Sequence, residues 1–448
     1  MPRPIASISG FPEWLPQERL VEQLVLDQLR EVFELNGFSP IETRAVEPLS
    51  QLLRKGETSK EIYLLSRLQG EAAEEASLDP KRLGLHFDLT VPFARYISEN
   101  AGKLAFPFKR YQIQKVWRGE RPQDGRYREF IQADIDVVGQ GELAFHHEVE
   151  LPLVMARALS ALGIPAFKIH VNNRKLVQGI CQANGVEDVE EALRILDKLD
   201  KIGADQVSEE LIKNGISESG AATILKMAQI SGDAQTVSAA LAEFGVENDL
   251  FEEGKNELLA LLEEAEKRAP GVVIADLKIA RGLDYYTGSV YESFIAGHED
   301  LGSICSGGRY DNLITVGNKT YPGVGLSIGV SRLLARMLGE DLLTASRPTP
   351  TAVLVAVNDE ATRSESNRIA DALRERGIPT DVAPKAAKFG KQIRFADRQG
   401  IPYVWFPATE EGEADQVKDI RSGEQTEADL STWQPEAADL RVRISRPN

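Results

Sequence analysis

Four arginines sit in polar, glycine-rich runs that interrupt an otherwise ordinary globular pattern. Arg118 ends a strand-like stretch and begins Arg118-Gly-Glu-Arg-Pro-Gln-Asp-Gly-Arg-Tyr127. Arg281 opens Arg281-Gly-Leu-Asp-Tyr-Tyr-Thr-Gly288, Arg309 lies in Ser306-Gly-Gly-Arg-Tyr-Asp311, and Arg332 follows Gly323-Val-Gly-Leu-Ser-Ile-Gly329. A planar guanidinium fits two phosphate oxygens at once and stabilises charge that shifts between them during phosphoryl or nucleotidyl transfer. No GxxxxGK[ST] loop is present, and the glycines of 323–329 are spaced wrongly for GxGxxG. Phosphate binding would therefore fall to side chains. Taken singly, each arginine reads as a surface ion-pair partner, so the chemistry depends on their convergence.

Two strand-like stretches would bring polar groups together. In Lys109–Arg118 the residues Arg110, Gln112, Gln114 and Arg118 share a face, and in Arg128–Val138 so do Arg128, Phe130, Gln132, Asp134 and Asp136. The charged loop between them makes a long antiparallel hairpin the simple reading. Its polar face carries many groups that are expensive to bury unpaired. Taken alone, Asp134 and Asp136 read as an exposed face, Tyr285 and Tyr286 as packing residues, and Asp88 before Thr90 as a helix cap.

Around these stretches the sequence predicts an amphipathic helix over Gln17–Asn36, with Val21, Leu24, Val25, Val32 and Leu35 on one side and Gly37 as its stop. Leu151–Leu162 also reads as helix. Asp188–Arg268 is rich in Ala, Leu, Glu and Lys and predicts a mostly helical insertion. Strand-like pieces follow at Val272–Ile279, Ser289–Ala296 and Gly323–Ser327, then a helix over Gly329–Leu338. Past the linker Arg347-Pro-Thr-Pro-Thr351, β and α patterns alternate through Phe406, as in a small α/β domain.

Composition bounds the rest. The 448 residues suggest two to four domains. No apolar run reaches the ~18 residues of a membrane span, and no leader is seen before Pro16, so a cytoplasmic protein is expected. Cys181 and Cys305 are far apart, which excludes a disulfide framework and a cysteine zinc site. His146 and His147 read as a solvated turn. The net charge of −17 argues against nucleic acid, but its distribution does not. Lys109–Arg128 has seven bases against two acids, and 383–403 has Lys385, Lys388, Lys391, Arg394 and Arg398 against Asp397, while 408–440 has ten acids and two bases. Local basic patches on an acidic body suit a structured RNA.

With these residues in view, the chain resembles the histidyl-tRNA synthetases, a family of class II aminoacyl-tRNA synthetases. Arg118–Phe130 resembles motif 2 of that class in its histidyl form, within about 109–138. Gly37–Pro48 resembles motif 1, which builds the dimer interface in the class, and Gly323–Leu338 resembles motif 3. The segments 281–288 and 306–311 are similar to the pair peculiar to the histidyl family. The resemblance implies an α+β fold: a class II antiparallel sheet flanked by helices in residues 1–345, a helical insertion at about 185–270, and a C-terminal α/β anticodon-binding domain in 350–448.

The resemblance also implies roles. Arg118, Glu120, Arg126, Phe130 and Arg332 would bind ATP, with Phe130 stacking on adenine. Asp88, Thr90 and Gln132 would hold the α-amino group of histidine, while Asp136, Tyr285, Tyr286 and Tyr310 would surround its imidazole. Arg281 would bridge the histidine carboxylate and the α-phosphate, so that Arg281 and Arg118 are the catalytic pair. Asp88 and Asp136 are aspartates where many bacterial members have glutamate. ATP with Mg²⁺, L-histidine, tRNA(His) and a second copy of the chain are the implied partners. A carboxylate and a phenol suit a neutral imidazole, which has one donor and one acceptor. Two rival readings are a regulatory subunit of ATP phosphoribosyltransferase and a class II synthetase for another amino acid. The first typically lacks the C-terminal domain and erodes the arginine and tyrosine motifs; the RGLDYY segment does not belong to the second.

Overall fold

A computed structural model describes residues 7–55, 61–66, 82–123, 125–279, 286–410 and 412–446. Helix α1 (Pro16–Leu35) starts on a proline, whose missing N–H costs nothing at a first helical position. It ends at Gly37, which takes the positive φ of +78° that such a stop requires. Its buried stripe is Val21, Val25, Leu29 and Phe33, spaced four apart. Leu35, expected on that face, is 80% exposed. A short strand β1 (Ser39–Pro40) and helix α2 (Thr90–Asn100) lead to the hairpin of β2 (Phe108–Trp117) and β3 (Glu129–Val138).

Helix α3 (His146–Ala161) begins at the histidine pair expected to form a solvated turn. There burial, with the neighbouring positive charge, pushes His147 down to about 4. After β4 (Phe167–Asn173) come α4 (Arg174–Ala183), α5 (Val189–Leu196), α6 (Leu199–Lys213), α7 (Glu218–Ala228), β5 (Ser231–Gly232), α8 (Ala234–Ala242) and α9 (Asp249–Arg268). Four of these helices start as side-chain caps predict: Asp188, Ser217, Asp233 and Asn248 each accept the backbone N–H three residues on. The segment is not purely helical, because β5 pairs with the next strand.

The later strands are β6 (Val273–Asp276), β7 (Ser289–Ile295), β8 (Cys305–Tyr310) and β9 (Gly323–Gly329), followed by α10 (Val330–Gly339). They complete a nine-stranded sheet in the order β1-β2-β3-β9-β8-β7-β4-β6-β5. Its centre, from β2 to β4, is antiparallel throughout, whereas β1 joins β2 and β6 joins β4 in parallel. Helix α9 packs on α4 and on the β4–β6 end of the sheet, and α3 lies against β9. Strands Phe167–Asn173 and Cys305–Tyr310 are additions to the sequence reading.

By contact the chain divides into two compact units, one of Met1–Pro12 with Asp27–Arg336 and one of Glu13–Leu26 with Met337–Asn448. The second holds β10 (Val353–Val355), α11 (Arg363–Glu375), β11 (Thr380–Val382), α12 (Phe389–Arg398), β12 (Tyr403–Phe406), β13 (Gln416–Asp419) and β14 (Gln425–Glu427). The sheet order is β11-β10-β12-β13-β14, parallel in its first three strands. Strand β12 is buried on both faces: Tyr403 and Trp405 pack with Ile369 and Leu373, Val404 and Phe406 with Leu354 and Ala396. The acidic run also carries structure, since Trp405 Nε1 donates to Asp415 at 3.0 Å and Tyr403 Oη to Asp439 at 2.9 Å.

Candidate active site

Hairpin register places the two polar faces directly opposite each other. Arg110 pairs with Asp136, Gln112 with Asp134 and Gln114 with Gln132. Arg110 is wholly buried, and its Nη2 lies 2.7 Å from Asp136 Oδ2 and 4.0 Å from Asp134 Oδ2. The other oxygen of Asp136 accepts from Tyr310 Oη at 2.7 Å. Gln112 donates to Thr43 Oγ1 and to Gln114 Oε1, and Gln114 donates to the Thr43 carbonyl. Gln132 donates to Ser327 Oγ at 2.9 Å, leaving its Oε1 buried with no hydrogen-bond partner among the described residues. The expensive face is buried, and most of it is paired.

Electrostatics in this pocket are dominated by carboxylates. Burial raises Asp134 to about 7; Asp136 and Asp88 add to the rise, while Arg110 and a hydrogen bond from Ser327 oppose it. Tyr286 is pushed above its ordinary value by burial first, then by Asp136, Asp88 and Asp134. Asp88 also accepts the Val91 N–H at 3.0 Å near the start of α2, so it is a cap as well as a neighbour of the pocket.

Glycines on β8 and β9 give these side chains room. A Cβ at Gly325 would lie 2.1 Å from Asp136 Oδ1, and one at Gly323 would lie 2.3 Å from the Tyr310 ring. One at Gly308 would meet the Tyr286 ring at 2.8 Å, and one at Gly307 the Gly325 carbonyl at 2.0 Å. The glycine run that fails as a dinucleotide fingerprint is therefore a strand kept bare for a pocket. That pocket, about 30 Å³, is lined by Thr90, Asp134, Asp136, Tyr286, Tyr310 and Ser327 among others.

It shares Tyr286, Ser306, Gly307 and Ser327 with a larger cavity of about 390 Å³. Arg118, Glu120, Arg126, Phe130, Gln132 and Arg332 all line the larger space. Arg118 is aimed by a hydrogen bond from its Nε to the Phe87 carbonyl at 2.9 Å and lies 5.1 Å over the Phe130 ring. Arg332 donates to the carbonyls of Ser303 and Leu301. Glu61 is raised by burial and by Glu120, with Arg118 opposing.

Most of the expected site residues thus gather around two connected spaces. Arg281 and Tyr285 lie outside the described residues. Arg309 does not join the cavity: its Nη1 pairs with the wholly buried Glu148 at 2.7 Å and its Nε with Asp311 at 3.0 Å. Glu148 also accepts the Ser289 N–H at 3.0 Å, and Asp311 accepts from Thr287 Oγ1 at 2.6 Å, so this cluster anchors the backbone just after Tyr286. Sequence reasoning missed Glu292, Ser306 and Ser327, which line the cavity. A glutamate centred in the apolar strand Ser289–Ile295 was the available signal.

With this geometry in place, comparison with known proteins is decisive. The family model described as histidyl-tRNA synthetase matches residues 10–333. The chain belongs to the histidyl-tRNA synthetase family. A model of the anticodon-binding domain matches residues 351–433. A protein named histidine–tRNA ligase from Bifidobacterium animalis subsp. lactis is 58% identical over 98% of each chain. The crystal structure of histidyl-tRNA synthetase from Nostoc sp. PCC 7120 superposes with a TM-score of 0.83 at 36% identity, covering 94% of this chain and 96% of that one. An ATP phosphoribosyltransferase regulatory subunit/histidyl-tRNA synthetase from Bacillus halodurans gives 0.74 at 20% identity, covering 91% and 99%, a likeness of fold alone. The fold is thus the expected α+β class II arrangement with a C-terminal anticodon-binding domain. No described helix is long and apolar enough to cross a membrane.

Two outcomes follow from the pocket's packing and charge. Gly325→Ala should cost ~1–3 kcal/mol through overpacking. Introduced into Asp136→Ala, where the colliding carboxylate is gone, the same substitution should cost much less; urea denaturation of the four members of the cycle measures this. Asp134, raised from 3.8 to about 7, keeps its proton in the folded state after the unfolded chain has lost it. Its contribution to stability is whole below about pH 4 and is lost as pH rises through about 7. Relative to Asp134→Asn, the wild type should lose stability across that window, with the difference level above it.

Proposed function

We propose that this chain activates L-histidine with ATP to histidyl-adenylate and pyrophosphate, then transfers histidine to the 3′ end of its tRNA. The observation that carries this reading is the junction of a carboxylate–phenol pocket with an arginine-lined cavity, in a chain of this family. Asp136, Tyr286 and Tyr310 receive the imidazole, joined by Tyr285. Asp88, Thr90 and Gln132 take the α-ammonium, for which the buried Gln132 Oε1 is a ready acceptor. Arg118, Glu120, Arg126, Phe130 and Arg332 bind ATP. Arg281 bridges the histidine carboxylate and the α-phosphate, as its motif implies.

The reaction asks for orientation and charge stabilisation more than for covalent help. The histidine carboxylate attacks the α-phosphorus, and negative charge grows on the phosphate oxygens. Arg118, already aimed by the Phe87 carbonyl, meets that charge without reorganising. In the second step the terminal ribose hydroxyl attacks the activated carbonyl and AMP leaves.

Mg²⁺ is proposed as the partner of the ATP phosphates, screening their charge. Glu120 and Glu292 line the cavity and would offer the one or two carboxylates that suffice when phosphates and water supply the rest. No group of three metal-binding side chains occurs among the described residues. The homodimer is proposed from the motif 1 segment Gly37–Pro48, beside the exposed Leu35. The proposed location is the cytoplasm, where histidine, ATP and tRNA meet.

Pyrophosphate exchange with each of the twenty amino acids tests the reading, with histidine the expected response; exchange on another amino acid alone would reject it. Arg118→Ala should slow adenylation by ~10²–10³ in single-turnover kinetics, by analogy with loss of one oxyanion donor. The C-terminal unit gives a separate outcome. Lys385, Lys391, Arg394 and Arg398 line a cavity of about 510 Å³ beside α12. Lys391→Glu/Arg398→Glu should depress tRNA charging and flatten its salt dependence while leaving histidine-dependent exchange unchanged.

A further inference from the structure

The hairpin carries a cation to which the adenylation scheme gives no role. Arg110 is completely buried, lies 4.3 Å over the Phe93 ring of α2, and reaches Asp136 at 2.7 Å from the strand opposite. Its Nη1 is 3.4 Å from Gln112 Oε1, which ties it to the paired amides behind the pocket. Asp134 shares the same guanidinium at 4.0 Å.

We propose that Arg110 is a positioning residue for amino-acid specificity: it holds Asp136 as an ionised acceptor, so that the pocket demands a ring N–H from its substrate. The proposal rests on reading this pocket as the imidazole site. Asp136 receives the Tyr310 hydroxyl on one oxygen and the Arg110 charge on the other. An ionised carboxylate has only acceptors, so a bound ring must bring the donor. Neutral imidazole brings one. A thiazole of similar shape brings none and sets a lone pair or sulfur against a buried charge, a mismatch that sites built for hydrogen bonding reject strongly.

Without Arg110, Asp136 would stand buried in the sheet with no cation across the hairpin. Burial without a countercharge disfavours the ionised form, whether or not Asp134 is charged. A protonated Asp136 can donate to a ring nitrogen, which imidazole and thiazole both possess. Loss of the arginine should therefore erode the distinction between the two rings, beyond lowering activity.

The experiment uses the full-length protein and pyrophosphate exchange with histidine and with 2-thiazolylalanine. Arg110→Leu should reduce the ratio of the two kcat/KM values by about 10- to 100-fold, with KM for ATP unchanged. Equal falls for both amino acids, with the ratio kept, would reduce Arg110 to a structural role and overturn the proposal. Arg110→Leu/Asp134→Ala should remain indiscriminate; recovery of the wild-type ratio would mean that Arg110 merely balances Asp134, and would also overturn it. Arg110→Lys should restore most of the ratio, and a lysine variant as indiscriminate as leucine counts against charge as the cause. Should the leucine variants not fold, Arg110→Met and Arg110→Met/Asp134→Ala, closer in shape, carry the same comparisons. Wild-type protein that fails to exchange on histidine would reject the function itself, a result separable from any of these.

Discussion

The buried ion pair between Arg110 and Asp136 is the constraint around which the catalytic unit is arranged. Placing carboxylates in the middle of a sheet removes their hydration, and each must recover it from the protein. Breaking such a pair typically costs ~3–5 kcal/mol, because the partner is left charged and unsolvated. The surroundings answer that need from several sides. Arg110 comes from the paired strand, Tyr310 from β8, and Ser327, hydrogen-bonded to Asp134, from β9, while Phe93 closes over the guanidinium from α2. Register is therefore more than a geometric detail here. A one-residue slip of β2 against β3 would turn Arg110, Gln112 and Gln114 to the opposite face of the sheet, away from Asp134 and Asp136.

The connected spaces have opposite electrical character. The smaller is crowded with Asp134 and Asp136, with Asp88 close by, and suits the cationic and hydrogen-bonding parts of an amino acid. The larger carries Arg118, Arg126 and Arg332, fitted to phosphate. Gln132, on the strand that serves both, lies at their boundary. A molecule spanning them is oriented by charge before any close fit is made.

Much of this organisation was legible in the sequence where the chemistry and the period agreed. Alternation across 109–138 gave the hairpin and put Arg110 on one polar face and Gln132, Asp134 and Asp136 on the other. Composition over Asp188–Arg268 pointed to helix without dividing it, and the caps Asp188, Ser217, Asp233 and Asn248 that start four of its helices went unread. Reading failed where side chains serve unusual partners. Strand β4 ends in Asn172 and Asn173, both fully buried, and β8 contains two glycines, so neither shows a β-branched run. Arg309 looked like its three counterparts, yet the buried carboxylate that claims it lies 161 positions away on α3. The polar strands β13 and β14 were hidden within an acidic stretch, because an exposed edge of a sheet needs few apolar residues.

The glycine floor under the pocket has a further consequence. A surface made of backbone has no rotamers to freeze when a ligand lands on it, so the ordering cost there is met once, during folding, and not at each binding event. It is also a surface that substitution cannot tune. Every replacement at Gly307, Gly308, Gly323 or Gly325 adds atoms where the backbone, Tyr286, Tyr310 or Asp136 already stands. Evolution of a new amino-acid preference on this scaffold would have to proceed through the walls, leaving the floor as it is.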